Sequence, residues 1–327
     1  MASQILVTGG AGYIGSVVAD LLVRQGHRVT ILDNLSHGHA QAVPPGAELF
    51  GIELSHRASL EALFARCQFD AVIHFAALIE AGESMRAPEL YFRNNTASTL
   101  TLFESMLAHN VKKLVFSSTA ALYGDPERTP VEEDAPLQPT NAYGESKLLV
   151  ERMLGWFHRV HGFRYASLRY FNVAGAWDGR GEDHRPETHL IPRVLKVALG
   201  KQESISIFGD DYPTPDGTCI RDYIHIYDLA QAHLLALDAL DRRDPLIYNL
   251  GNGKGFSVRE VIETARRVTG HPVPAEIQPR RPGDPAVLVA SSAKIHRELN
   301  WTPKFATLDS IVASAWEWHK AHPEGYG

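Results

Sequence analysis

Short apolar runs alternate with longer amphipathic stretches along the first half of the chain. Runs too short for helices predict buried strands at residues 5–7, 29–32, 71–77, 114–118 and 165–171. Apolar positions with helical spacing predict helices at residues 17–23, 60–67, 88–109 and 143–158. Because strands and helices alternate and hairpin signals are lacking, the pattern predicts an α/β fold with a doubly wound parallel sheet.

The composition changes beyond Asn172. Residues 175–192 are rich in Gly, Asp, Pro and His, which indicates that the chain leaves the sheet for a smaller C-terminal lobe. Residues 224–241 and 246–250 predict a return to the first domain. Residues 259–269 predict a helix, and residues 272–285 predict a proline-rich loop or edge strand. A chain of 327 residues is long enough for two domains. We predict a first domain over 1–172 with a return near 222–252, and a lobe that occupies mainly 173–327.

A glycine-rich turn joins the first predicted strand to the first predicted helix. Its sequence, TGGAGYIG at residues 8–15, fits G-x-G-x-x-G from Gly10 and the wider G-x-x-G-x-x-G from Gly9. Glycines in such a turn let the backbone approach a phosphate, which the N–H groups and the positive dipole end of the helix hold. The sequence therefore predicts a Rossmann-type dinucleotide site.

An acidic residue, Asp33, follows the second predicted strand about twenty residues beyond the glycines, where a carboxylate can bind the adenosine ribose hydroxyls. A carboxylate at this place repels a 2′-phosphate, so it favours NAD over NADP. Ligands of such sheets bind at the carboxyl ends of the strands. The glycine turn, Asp33, the end of the strand containing Phe75 and residues 117–119 are all expected there.

Tyr143 and Lys147 are four residues apart on a predicted helix and share one face, and Thr119 ends a strand that should point at the same place. A tyrosine with a pKa near 10 needs about 4 kcal/mol of preference for the phenolate to act as a base near pH 7. A lysine ammonium about 5 Å away supplies roughly 3 kcal/mol. An oxidised nicotinamide would supply the rest. We predict Tyr143 as a catalytic base in reversible hydride transfer, Lys147 as the charge that lowers its pKa, and Thr119 as a hydrogen-bond donor to the reacting oxygen.

Composition excludes several other classes of function. The net charge is −6, and the basic residues are too scattered for a nucleic-acid surface. Cys67 and Cys219 lack metal-type spacing and are interpreted as free thiols in a reducing compartment. The histidine pairs 37/39 and 158/161 lack acidic or cysteine partners, so no metal site is expected. With neither a transmembrane run nor a secretory signal predicted, we expect a soluble, cytoplasmic binder of small molecules.

Several segments resemble the extended short-chain dehydrogenase/reductase family. They are TGGAGYIG, LDN at 32–34, HFAA at 74–77, FSSTAALYG at 116–124 and YGESK at 143–147. A second set looks like the UDP-glucose (UDP-galactose) 4-epimerases of that family: RYFNVAGA, FGDDYPTPDGTCIRDYIH, YNLGNG, RRPGD, RELNW and WHKAHPEGY. This resemblance, from about residue 5 to the C-terminus, implies interconversion of UDP-galactose and UDP-glucose. Carbon 4 would transiently give hydride to tightly bound NAD, through a 4-keto sugar. It also implies a homodimer that pairs through helices at 88–109 and 140–158.

The resemblance also implies roles for individual residues. Tyr143, Lys147 and Thr119 would be catalytic. Residues implied to bind NAD are Gly9, Gly12, Tyr13, Ile14, Gly15, Asp33, Asn34, Glu53, Leu54, Phe75, Ala76, Ala77, Asn95, Tyr143, Lys147 and Phe171. Residues implied to bind the UDP-sugar are Thr119, Tyr143, Asn172, His189, Leu190, Arg221, Arg281, Asp284 and Leu288.

Departures from the family pattern bear on the substrate. Glu53 replaces the usual Asp, Ile79 stands where some members have a cofactor-binding lysine, and His189 replaces a common asparagine. Leu288 stands where some members have a tyrosine that crowds the sugar. We hypothesise that Leu288 leaves room for N-acetylated UDP-sugars.

Alternative functions remain open from the sequence. A 4-epimerase of UDP-pentoses or UDP-uronates fits the same motifs, because the contacts that discriminate the sugar cannot be derived from one sequence. A 4,6-dehydratase needs an acid after the strand-end threonine, where this chain has two alanines at 120 and 121. A non-catalytic NAD-binding protein would be expected to lack Tyr143 or Lys147, and both are present.

Overall fold

The structure, a computed structural model, describes residues 2–281 and 284–327, so Pro282 and Gly283 of the RRPGD segment lie outside the described residues. The chain divides into two compact units. Unit 1 comprises the chain up to Gly124, Pro136–Arg169 and Ala230–Tyr248. Unit 2 comprises Asp125–Ala135, Tyr170–Leu229 and the chain from Asn249. The predicted division at residue 172, with its assignment of ligands to each part, stays a prediction.

The strands and helices of the described residues are labelled in chain order. The strands are β1 (Gln4–Thr8), β2 (Arg28–Asp33), β3 (Ala47–Gly51), β4 (Ala71–His74), β5 (Lys113–Thr119), β6 (Arg164–Tyr170), β7 (Asn172–Ala174), β8 (Ile205–Phe208), β9 (Ile220–His225), β10 (Leu246–Leu250), β11 (Gly255–Ser257), β12 (Ala275–Gln278) and β13 (Val287–Leu288). The helices are α1 (Tyr13–Arg24), α2 (Arg57–Arg66), α3 (Ala81–Ser84), α4 (Pro88–Tyr91), α5 (Ser98–Ala108), α6 (Ala142–His161), α7 (Leu190–Ala198), α8 (Ile226–Ala239), α9 (Val258–Thr269), α10 (Ala293–Leu299) and α11 (Leu308–Ala321).

The large sheet has the strand order β10-β6-β5-β4-β1-β2-β3. Its pairs β1–β2, β1–β4, β2–β3 and β4–β5 are parallel. Successive residues of β1 and β4 are buried because parallel strands covered on both faces have no solvent side. Helices α2, α5 and α6 pack with Leu6 and Val72 in one core, and α1 packs against β1, β2 and β3. The predicted doubly wound α/β fold is confirmed.

Two elements of unit 1 differ from their predictions. Strand β4 ends at His74 instead of residue 77, because the N–H groups of Phe75 and Ala76 both donate to the Thr8 carbonyl and the chain leaves the ladder. The helix predicted over 88–109 consists of α4, a π-helical segment Phe92–Ala97 and α5. Apolar spacing did not reveal this change of register, since both halves are helical and partly buried.

Unit 2 contains a small sheet centred on β9. Strand β9 lies between β11 (antiparallel) and β13 (parallel), and β7 also pairs with it in parallel. The parallel pair β8–β12 forms a separate ribbon, which places an edge strand within the predicted proline-rich segment. Helices α7, α9 and α11 share an apolar core that includes Val194, Val261 and Ile311.

Asp222, on β9, is fully buried and organises the turn beside the small sheet. Its carboxylate accepts backbone hydrogen bonds from Asn252 (2.7 Å), Gly253 (3.1 Å) and Ala290 (3.1 Å). Burial nevertheless raises the pKa of Asp222 to about 6, because desolvation of the charged form outweighs these bonds. The folded chain therefore binds this proton more tightly than the unfolded chain.

We predict that Asp222 makes unfolding pH-dependent. A carboxyl with a raised folded pKa contributes stability that is present below its unfolded pKa and lost as pH rises through about 6. The parent chain should therefore gain roughly 2.4 kcal/mol relative to Asp222→Asn between pH 7.5 and pH 4. Urea unfolding at several pH values would measure the difference. The exposed Asp238→Asn is the control, and a pH-independent difference at position 222 would contradict the prediction.

Candidate active site

The glycine turn is built from backbone atoms in close contact. Gly9 has a φ of +69°, and a Cβ there would lie 2.6 Å from the Ala76 nitrogen. A Cβ at Gly15 would lie 2.2 Å from the Gly9 carbonyl oxygen. Gly12 caps α1 without a side chain, and the first turn of α1 has no acidic residue. This helix start is therefore open to an anion, since first-turn N–H groups lack intrahelical acceptors.

Asp33 ends β2 with its carboxylate held in place. One oxygen accepts from the Ala11 N–H (3.0 Å) and the other from the Leu35 N–H (2.9 Å). Burial raises the pKa of Asp33, and the two backbone hydrogen bonds oppose the rise. Each carboxylate oxygen has further lone pairs that can accept ribose hydroxyls. Beside it, the Asn34 amide donates to Glu53 at 2.7 Å, so the structure brings these three predicted residues together.

Asn95 lies on the π-helical segment and is buried. Its side chain accepts from the Leu78 N–H (2.8 Å) and donates to the Leu78 carbonyl (2.9 Å) and to the Ser146 hydroxyl (3.1 Å). These bonds fix the loop that follows β4. The side chain of Leu54, by contrast, belongs to the apolar core of unit 1.

The catalytic residues predicted from sequence meet at the end of β5. Asn141 caps α6 by accepting from the Gly144 N–H at 2.9 Å, which places Tyr143 in the first turn. The Thr119 hydroxyl accepts from the Ala121 N–H (3.1 Å) and donates to the phenolic oxygen of Tyr143. One turn along α6, the buried Lys147 ammonium donates to the Ser117 carbonyl at 2.9 Å.

The expected lowering of the Tyr143 pKa by Lys147 does not occur in the chain alone. Burial, assisted by the negative charge of Glu80, raises the pKa of Tyr143, and the hydrogen bond from Thr119 opposes the rise. Burial also lowers the pKa of Lys147 to about 7. The sequence argument counted the attraction between the two charges and omitted the cost of desolvating them. The cationic nicotinamide of NAD supplies, when bound, both a hydride acceptor and the missing positive charge.

A buried ion pair that the sequence analysis missed supports these residues. Arg169 on β6 donates to both carboxylate oxygens of Glu151 on α6, at 3.0 and 2.6 Å, and to the Tyr123 hydroxyl at 2.9 Å. The Ser118 hydroxyl donates to the same carboxylate at 2.6 Å. Glu151 is one turn beyond Lys147, so the network fixes α6 to the end of β5. The sequence contained one indication of this pair, because Arg169 is a charged residue inside the strand predicted to be buried at 165–171.

Residues predicted to bind UDP lie in unit 2. Arg221 on β9 pairs with Asp284, and Leu288 on β13 lies opposite Arg221 in register. The guanidinium carbon of Arg281 lies 3.9 Å from the centre of the Phe208 ring.

The other predicted UDP residues occupy two places in unit 2. Asn172 on β7 donates to the Asp222 carbonyl at 3.1 Å. Leu190 begins α7, and His189, at the N-cap, contacts Glu182 and Glu187. Sequence reasoning did not find these two acids. The sequence feature that could have indicated them is the alternation of Glu and His over residues 182–189.

His74 and the cysteines agree with their predictions. His74 is buried between the hydroxyls of Thr8 (2.6 Å) and Thr99 (2.8 Å), as expected of a satisfied core histidine. Cys67 and Cys219 are free thiols. Among the described residues, the helices are too short or too polar to span a bilayer.

Comparison with known proteins identifies the family. Residues 5–251 match the model of the NAD dependent epimerase/dehydratase family. The chain belongs to this family. The glycine turn, the open start of α1 and the fixed Asp33 carboxylate fit the NAD that the family uses.

Members of the family are similar to this chain over nearly their full length. The UDP-glucose 4-epimerase of Halalkalibacterium halodurans is 55% identical, over 98% of this chain and 97% of its own. The UDP-glucose 4-epimerase of Streptomyces lividans is 54% identical, over 100% of this chain and 99% of its own. The solved UDP-glucose 4-epimerase of Bifidobacterium longum, in complex with NAD+ and UDP, is 40% identical with a TM-score of 0.94, covering 99% of this chain and 100% of its own.

We predict that Gly15→Ala abolishes retention of NAD. The added Cβ would lie 2.2 Å from the Gly9 carbonyl oxygen, so the turn must open. Cofactor released from the denatured protein, measured by absorbance, should fall at least about tenfold relative to the parent. Gly51→Ala is the matched control, because a Cβ there meets nothing within 4 Å. Equal NAD content in parent and Gly15→Ala would contradict the proposed pyrophosphate site.

Proposed function

We propose that the chain is a UDP-glucose 4-epimerase, which interconverts UDP-galactose and UDP-glucose with tightly bound NAD. The observation that carries this proposal is the Thr119–Tyr143 hydrogen bond at the end of β5, with the buried Lys147 one helical turn away. The full-length relatives named UDP-glucose 4-epimerase support the same conclusion.

Proton transfer at the sugar 4-hydroxyl is assigned to Tyr143. Bound NAD would supply the hydride acceptor for carbon 4, and the phenolate oxygen of Tyr143 would take the hydroxyl proton as a 4-keto sugar forms. Tyr143 would return this proton when the hydride is given back to the opposite face of the sugar, with no net redox change. Thr119 donates a hydrogen bond where negative charge develops on the reacting oxygen.

Binding of UDP is assigned to unit 2. Arg221 and Arg281 carry the positive charge that a diphosphate requires, and a guanidinium can hold it with two parallel hydrogen bonds. Asp284 can accept from ribose hydroxyls, while Asn172 and Leu190 contribute polar backbone or side-chain contacts. Firm binding of the diphosphate leaves the sugar free to turn, which the reaction needs.

The two ligands are assigned to different parts of the chain. We assign NAD binding to residues 1–172 with the return near 222–252, and UDP-sugar binding mainly to 173–327. A cytoplasmic location fits the free Cys67 and Cys219. A 4,6-dehydratase is disfavoured, since Ala120 and Ala121 follow Thr119 and alanine cannot protonate a leaving hydroxyl.

We predict that the purified protein converts UDP-galactose to UDP-glucose without added NAD, measured with a coupled UDP-glucose dehydrogenase. Tyr143→Phe should lower kcat by at least about a hundredfold, because general acid–base catalysis typically contributes that much. Tyr212→Phe, which removes a phenol from unit 2, is the control. Turnover by Tyr143→Phe at the parental rate would favour a different base or a non-catalytic role for this site.

We predict that N-acetylated UDP-sugars are substrates, because Leu288, which is half-buried and paired in register with Arg221, is smaller than the tyrosine that crowds the sugar in some family members. Leu288→Tyr should lower kcat/KM for UDP-N-acetylglucosamine by roughly tenfold or more and leave UDP-galactose within about threefold. Leu288→Met, which preserves volume, is the control. Parental protein that turns over UDP-galactose but not UDP-N-acetylglucosamine would contradict this hypothesis.

We predict a homodimer that pairs through α4, α5 and α6. These helices expose large apolar side chains, namely Leu90 (42%), Leu100 (38%), Trp156 (60%) and Val160 (65%). Such side chains are typical of interfaces when they form a patch. Analytical ultracentrifugation should give twice the chain mass of 36.1 kDa. The double variant Trp156→Glu/Val160→Glu should be monomeric, and Ile277→Glu, on β12, should not. A monomeric parent would rule the dimer out.

A further inference from the structure

Four side chains of unit 2 converge in the loop before α7, and none of them is assigned to hydride transfer. Glu182, His184, Glu187 and His189 each offer one nitrogen or oxygen atom, and these four atoms lie within 4.8 Å of one another. The side chains of Glu182 and Glu187 are only 5% and 3% exposed. Two carboxylates are thus withdrawn from water within a span of eight residues.

The spacing of these atoms suits a tetrahedral ion. His189 Nδ1 lies 2.9 Å from Glu182 Oε1 and 2.8 Å from Glu187 Oε1. His184 Nδ1 lies 3.2 Å from Glu182 Oε1 and 3.8 Å from Glu187 Oε2. Zinc holds its ligands at about 2.1 Å in a tetrahedron, which separates neighbouring ligand atoms by about 3.4 Å. The observed separations fall on both sides of this value, so the four side chains lie close enough together to share one ion.

The charges of the cluster agree with a divalent ion. Two buried carboxylates need a compensating positive charge, which the paired imidazoles supply when protonated and a dication supplies when the imidazoles are neutral. Imidazole nitrogen and carboxylate oxygen are ligands that zinc and its neighbours in the first transition row prefer.

We propose that Glu182, His184, Glu187 and His189 bind a divalent transition-metal ion of the zinc type. The ion would tie the loop at 182–189 to the start of α7, because His189 immediately precedes Leu190. Its role is structural, since hydride and proton transfer are assigned to residues of unit 1. This proposal departs from the expectation, drawn from the sequence, that the chain has no metal site.

The test uses the full chain with its bound cofactor, treated with a chelator and then desalted. Titration calorimetry with Zn2+ alone should give one site per chain, and elemental analysis after desalting should find about one zinc. His184→Asn and Glu187→Gln should each weaken zinc binding at least tenfold, whereas His296→Asn, an exposed histidine of α10, should bind like the parent. Substoichiometric zinc in the parent, or unchanged affinity in both cluster variants, would overturn the proposal.

X-ray absorption on the zinc-loaded parent keeps the test decisive if a cluster variant fails to fold. The expected first shell contains only nitrogen and oxygen at about 2.0–2.2 Å, with the outer scattering of imidazole rings. Sulfur in the first shell would place the ion at Cys67 or Cys219 and overturn the proposal. Because both measurements report metal binding, failure of the epimerase assignment would leave this result unaffected.

Discussion

Arg169 and Glu151 are withdrawn from water together, and removing either one would leave a buried charge at a cost of about 3–5 kcal/mol. The pair connects β6 to α6, and through the Ser118 hydroxyl it also fixes the last residues of β5. Thr119 and the Ser117 carbonyl flank Ser118, so the partners of both Tyr143 and Lys147 are positioned by this contact. The geometry of the proposed catalytic residues therefore depends on a charge pair that is assigned no part in the chemistry.

Burial also changes the pKa values of Tyr143 and Lys147, and it disfavours the charged form of each. It raises the pKa of Tyr143 and lowers that of Lys147, so each group tends toward its neutral form in the chain alone. A neutral tyrosine is a poor base, and in the proposed mechanism the oxidised cofactor would supply the positive charge that favours the phenolate. Coupling the base to the cofactor charge in this way favours proton transfer only in the redox state that can also accept hydride.

Much of unit 1 could be predicted because its signals are local. The glycine turn, Asp33 and the Tyr143–Lys147 spacing depend on backbone geometry and helical period, and the structure brings each of them into the expected element. The pKa of Tyr143 could not be predicted from spacing, because desolvation depends on all the atoms around the ring. The partner of Asp284 was equally hidden, since the pairing of β13 with β9 joins segments more than sixty residues apart.

The cluster before α7 shows a different limit of sequence reasoning. Glu182, His184, Glu187 and His189 are close in sequence, yet only His189 was singled out, and as a residue that binds the UDP-sugar. The histidine pairs that did receive attention, 37/39 and 158/161, were chosen by spacing alone. Burial of acidic side chains, which only the structure reveals, distinguishes the cluster from those pairs.

The π-helical segment Phe92–Ala97 divides one continuous helix into two halves with separate tasks. Before and within it, Tyr91 and Asn95 hold the loop that follows β4. After it, Leu102 and Phe103 enter the apolar core. A π turn contains more residues than an α turn, so it offsets the angular position of one half against the other. Chain length is thus constrained here as well as side-chain identity: an insertion or deletion within the segment would rotate Tyr91 and Asn95 away from the loop even if both side chains were kept.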